Sequence, residues 1–151
     1  MSEKASSLVA EAKKWASHYG SYANGEEGAV LTVPLRVRAA WDSNDADGFA
    51  DMFMETGSLL VGDSQLRGRE EIRSYMAAAF KGGLKGTRVT EDPVEIRPLS
   101  GDVALAVTEG GILDPGQTEL APDRVARSTW VIVKQAGDWR LFSMQSSPVT
   151  G

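Results

Sequence analysis

The sequence predicts an α+β fold, with helices first and a sheet after them. Three observations carry this reading. RVRAAWDSNDADGFADMF, Arg36 to Phe53, reads as an amphipathic helix that stops in a polar turn and restarts as a shorter one. GREEIRSYMAAAF, beginning at Gly68, places Ile72, Met76, Ala79 and Phe80 on one helical face. From Thr87 onward the chain is strand after strand, and segregated elements of this kind define α+β architectures. Helices followed by strands suggest a sheet wrapped around helices, a shape that encloses one deep pocket.

Taken in order, Ala5 to Tyr19 carries Leu8, Ala12 and Trp15 at helical spacing and ends in the breaker NGEEG. Residues 1–24 therefore form an N-terminal helix or arm, and residues 25–151 a single domain. A second helix spans about Gly28 to Ser43, with Leu31, Val33, Leu35, Val37, Ala40 and Trp41 as its apolar face. Pro34 removes a backbone donor and is expected near the start of the regular part. Asn44, Asp45 or Asp47 caps the next short helix, whose apolar face is Phe49, Met52 and Phe53. GSLLVGDSQLRG reads as two short strands around a turn at Gly62–Ser64. Glu70 and Glu71 favour the positive end of the helix that follows, and KGGLKG closes it.

TRVTEDPVEIRPL is irregular, and its two prolines suggest an edge or a bulge. DVALAVTEGGIL, VARSTWVIVK and WRLFSMQSS are regular strands, the last two joined by a hairpin at AGD. DPGQTELAPD is a longer polar connection, expected at a rim.

At 151 residues the chain is long enough to bury about 70% of its extended surface without staples. Hydrophobic residues at 42% and charged residues at 25% are ordinary for a globular protein. A net charge of −5 argues against nucleic acid, whose phosphates call for clustered Lys and Arg. The absence of cysteine excludes disulfides, thiolate catalysis and Cys-based metal sites, and fits the cytoplasm, although secreted proteins can lack cysteine too. No stretch is apolar and long enough to serve as a signal peptide or span a bilayer.

No standard catalytic motif is present. His18 is the only histidine, so a His-rich metal site is impossible and a catalytic triad has one candidate base. GGLKG, Gly82 to Gly86, closes a helix instead of opening one and is not a phosphate loop. Asp45, Asp47 and Asp51 are explained by capping and a solvated helix face. Glu109 follows the apolar run VALAV within a strand, where side chains alternate between faces. It either points to water or sits on the concave side. In a dry cavity its pKa would rise and it could act as an acid or base; beside a guanidinium it would stay charged and orient a ligand.

RVRAAWDSNDADGFADMF, then GSLLV, LRGREEIRSYM and the terminal GDWRLFSMQSS resemble the nuclear transport factor 2-like superfamily, in particular its SnoaL-like and SgcJ/EcaC-type members. Within it, the chain looks close to the small accessory proteins of enediyne biosynthetic gene clusters. The resemblance covers about Leu35 to Ser147. It implies a cone: a curved, mostly antiparallel sheet closed by N-terminal helices, the cystatin-like α+β barrel, with a cavity inside. It also implies a homodimer through the outer sheet face, where Trp130 and Gln145 are expected. The acid–base positions of the related ketosteroid isomerases fall near Val37, Val61 and Val131, and valine moves no proton. The last strand, LFSMQSS, lacks the carboxylate of the related polyketide cyclases.

The same resemblance turns Val107, Glu109 and Gly111 toward the cavity, with Arg127, Thr129 and Val131 on the neighbouring strand. In that register Thr129 lies opposite Glu109, and Arg127 lies diagonal to it. Trp41, Val61, Tyr75, Met76 and Met144 complete the wall. These residues are the expected site, with Glu109 as acid–base group and Arg127 tuning it. The implied role is to bind, fold or cyclise a hydrophobic polyketide or polyene intermediate of secondary metabolism, with no cofactor, metal, nucleic acid or membrane involved. Any catalysis would be isomerase- or cyclase-like. The alternative is a non-catalytic module that docks on a larger biosynthetic enzyme.

Overall fold

The computed structural model describes residues 26–61 and 63–149. The expected arm at 1–24, with His18, lies outside the described residues. Helix α1 (Glu26–Asp42) is followed by a short α2 (Ala46–Asp51), strands β1 (Phe53–Val61) and β2 (Ser64–Arg67), and helix α3 (Arg69–Lys81). Four long strands complete the chain: β3 (Arg88–Pro98), β4 (Val103–Leu113), β5 (Ala126–Gln135) and β6 (Asp138–Pro148). A 3-10 turn, Pro122–Arg124, precedes β5.

The sheet order is β2-β1-β6-β5-β4-β3. All neighbours are antiparallel except β1 and β6, which run parallel. The fold is therefore α+β with a six-stranded mixed sheet and N-terminal helices. The sheet curves over the helices but stays open, because β2 and β3 are its two ends and do not pair.

Local chemistry explains most boundaries. Asp45 caps α2, its Oδ1 accepting the Gly48 N–H at 3.0 Å. Asp47 and Asp51 bind Arg73 at 2.9 and 2.8 Å and so tie α2 to α3. Asn44 adopts a positive φ of 51°, and its side chain bridges the Trp41 carbonyl and the Gly86 N–H. Gly68, at φ 86°, supplies the left-handed turn from β2 into α3.

Pro34 departs from expectation: it lies inside α1, which begins eight residues earlier at Glu26. A proline inside a helix, which removes one hydrogen bond and crowds the carbonyl four residues earlier, costs about 3 kcal/mol. Burial of Val30, Val33, Leu35 and Val37 in the core offsets that cost, at roughly 1.5–3 kcal/mol each.

The core is the space between α1, α2, α3 and one sheet face. Phe49, Phe53, Ile72, Met76, Trp130, Ile132 and Leu141 are all buried there. Two irregularities keep the sheet's inner face continuous. On β3 the register shifts between Pro93 and Glu95, so Glu91 and Ile96 share the inner face despite their odd spacing. On β6 the shift at Phe142 does the same for Leu141 and Met144.

Candidate functional site

A cavity of about 340 Å³ lies between the C-terminal half of α1 and the inner faces of β3 to β6. Val37, Trp41, Phe49, Trp130 and Met144 supply its apolar wall, and Glu91 is the carboxyl that borders it from β3. The 3-10 turn closes one side with Asp123 and Arg124, the latter held by Asp114 at 2.7 Å.

Several contacts fix this geometry. Asp42 at the end of α1 accepts the Val89 N–H at 2.9 Å and so anchors β3 two residues before Glu91. Trp41 stands edge-on to Phe80 and Phe49, at 5.5 and 5.9 Å between ring centres. Its Nε1–H donates to Thr87 Oγ1 at 3.0 Å, and that hydroxyl donates to the Leu84 carbonyl at 2.6 Å. Behind Glu91, Trp130 Nε1–H donates to Thr108 Oγ1 at 2.9 Å, and Thr108 donates to Glu91 Oε2 at 2.6 Å. Desolvation pushes the Glu91 pKa up from 4.5 to about 7, against the opposing pull of the Thr108 hydrogen bond and the Arg38 charge. A carboxyl near neutrality is populated in both protonation states at physiological pH, and can give or take a proton.

The structure rearranges the expected site. Trp41 and Met144 do line the cavity, and Gly111 borders it. Met76 is fully buried in the core and unavailable to a ligand. Val61 and Tyr75 line a separate shallow depression beside the end of α3.

On β4 and β5 the faces are the reverse of those expected. Thr108 and Gly110, with Ser128 and Trp130, face the helices. Val107 and Glu109, with Arg127, Thr129 and Val131, face outward. Glu109 and Arg127 form an ion pair at 2.8 Å, directly opposite each other, with Val107 opposite Thr129. The Glu109 and Arg127 side chains are 39% and 53% exposed. Trp130, expected outside, is 1% exposed. Gln145 does lie on the outside.

The reversal has a physical reason. Both faces of β4 and β5 mix apolar with polar residues, and the larger aliphatics of β4, Leu105 and Val107, are on its outer side. Alternation thus separates two faces without saying which one the helices cover. Glu91 was hidden because the bulge after Pro93 breaks the alternation of its strand. The usable signal was its flanks: Val89 and Ile96 both point inward once one residue is looped out.

An apolar, acid-bearing cavity between N-terminal helices and one face of an open six-stranded mixed sheet defines a small α+β domain with a single-sided pocket. The SnoaL-like domain family matches residues 30–151, and the chain belongs to that family. Solved structures share the fold. A domain of unknown function with a cystatin-like fold from Nostoc punctiforme is 26% identical, with a TM-score of 0.76 over 84% of this chain and 79% of the other. A nuclear transport factor 2-like protein from Novosphingobium aromaticivorans is 20% identical, with a TM-score of 0.66 over 79% of each chain. A ketosteroid isomerase-like protein from Erwinia carotovora atroseptica is 15% identical, with a TM-score of 0.68 over 85% of this chain and 99% of the other. No curated protein matches the chain. Among the described residues, no helix is long and apolar enough to cross a membrane, and no cluster of His, Asp or Glu could hold a metal.

Proposed function

We propose that the chain binds a hydrophobic small molecule in the cavity beside Trp41, Phe49 and Met144, with Glu91 as its acid–base group. The observation that carries this reading is the placement of the Glu91 carboxyl in a wall that is otherwise mostly apolar, where desolvation pushes its pKa up to about 7. A cavity of about 340 Å³ falls within the range of small-molecule sites, at its lower end. The ligand we propose is a polyketide or polyene intermediate of an enediyne-type pathway in the cytoplasm, held in a reactive shape and acted on without a cofactor. Support for this finer reading is the order of the sequence motifs that resemble accessory proteins of such pathways. Holding a chain in a near-attack conformation can lower a barrier by several kcal/mol.

The homodimer is proposed on the outer sheet face, built from Leu105, Val107 and Val131 without Trp130. These apolar side chains are only partly covered, which favours a partner there.

Native mass spectrometry of the chain produced beside its own pathway genes tests both parts. A bound hydrophobic molecule and a dimer mass are expected. Glu91→Gln should lower ligand occupancy or product formation roughly tenfold, as expected for losing one charge-capable hydrogen-bonding group. A folded Glu91→Gln variant with unaltered ligand and product would remove Glu91 from the function.

A further inference from the structure

Thr108 stands between two groups whose hydrogen-bonding options differ. Trp130 Nε1–H can only donate, and it points at Thr108 Oγ1. The Thr108 hydroxyl has one proton, is 0% exposed, and lies 2.6 Å from Glu91 Oε2. Among the described residues that oxygen is the acceptor to which the hydroxyl donates. A carboxylic proton on Oε2 would crowd the hydroxyl proton of Thr108 and weaken that hydrogen bond, because a protonated carboxyl oxygen is the poorer acceptor. The line from Trp130 through Thr108 satisfies every donor when Oε2 accepts and the proton of neutral Glu91 sits on Oε1. Oε1 has no hydrogen bond among the described residues and is the oxygen left for the cavity that Glu91 borders.

We propose that Thr108 is a positioning residue that holds the Glu91 proton on the cavity side, and that the cavity thereby selects apolar ligands presenting an acceptor oxygen, such as a ketone, to Oε1. This rests on the small-molecule reading given above. Arg38 from α1, Asp92 on β3, and Asp123 and Arg124 of the 3-10 turn are the other charged groups around Glu91. Ionisation of Glu91 converts Oε1 from donor to acceptor. The preference for an acceptor ligand must then disappear as pH rises.

The test uses two naphthalenes of similar size, 2-acetylnaphthalene and 2-ethylnaphthalene, with binding measured by calorimetry at about pH 6 and about pH 8.5, on either side of the titration. Wild-type protein should favour the ketone roughly tenfold at the lower pH, the worth of one hydrogen bond, and lose that preference at the higher. Thr108→Ser should keep the pattern. Thr108→Val should bind the hydrocarbon as before, showing an intact cavity, but lose the ketone preference. Its Glu91 carboxyl, followed by carbon NMR, should also titrate higher than in wild type. A Thr108→Val protein that keeps both the preference and its pH dependence would overturn the positioning role alone. Wild-type protein that binds neither naphthalene would overturn the small-molecule reading, and this inference with it.

Discussion

Glu91 and Gly110 face each other across the β3–β4 ladder, and the strands are so close there that a Cβ on Gly110 would stand 1.8 Å from the Thr90 carbonyl oxygen. The missing side chain lets β3 lie against β4 and carries the Glu91 carboxyl to Thr108. Gly110→Ala should therefore destabilise the fold by roughly 2 kcal/mol or more, because the obstacle is backbone. Urea unfolding gives the cost. A carboxyl titration of Glu91 that stays in place in the folded variant would contradict the coupling between the two positions.

Glu91 should make stability depend on pH in a defined window. Its pKa is raised from 4.5 to about 7 on folding, so the folded state holds the proton more tightly. The resulting stabilisation is fully present below 4.5, declines between 4.5 and about 7, and is gone above that. The swing is on the order of 3 kcal/mol. Comparing wild type with Glu91→Gln across this range isolates the effect from other carboxylates. Parallel curves would rule out the raised pKa.

The outer ion pair should be dispensable for the cavity. Glu109→Gln and Arg127→Ala remove a half-exposed contact worth at most about 1 kcal/mol. Ligand binding should match wild type in both, in contrast to Glu91→Gln. Equal losses from Glu109→Gln and Glu91→Gln would contradict the assignment of faces.

Thr87 is buried and both accepts from Trp41 and donates to the Leu84 carbonyl. Thr87→Val should cost roughly 1–3 kcal/mol, since it leaves both partners without their hydrogen bond. The Trp41 ring should also loosen at the cavity wall, visible as reduced hydrocarbon affinity in calorimetry. A stability change with unchanged affinity would confine Thr87 to the fold.

Outer-face substitution separates the oligomer from the cavity. Val131→Asp places a charge on the partly covered sheet face opposite Leu105. Sedimentation should show a monomer, with the cavity still able to bind 2-ethylnaphthalene. A dimer that persists would move the interface elsewhere.

Among the described residues, helices α1 to α3, the cap of α2 and the late strands were legible in the sequence because their causes are short-range. The Asp45 cap acts over three residues, and the glycine-rich end of α3 over one turn. The hairpin at Ala136 and Gly137 has both residues at positive φ, as its short length requires. The period of β4 and β5 was equally plain, but their register was not: Arg127, expected diagonal to Glu109, lies directly opposite it, and Thr129 lies opposite Val107.

Tertiary structure alone decided which side of that period is inside. β4 and β5 carry apolar and polar residues on both faces, and α1, α2 and α3 pack on the face carrying Thr108 and Trp130 because its small residues leave room for large ones such as Trp130 and Phe49. The bulge at Val94 then turns Glu91 inward, beside Thr108, which lies seventeen residues away in sequence. Alternation along a strand is a property of neighbouring residues. The face that becomes dry depends on what arrives from elsewhere in the chain.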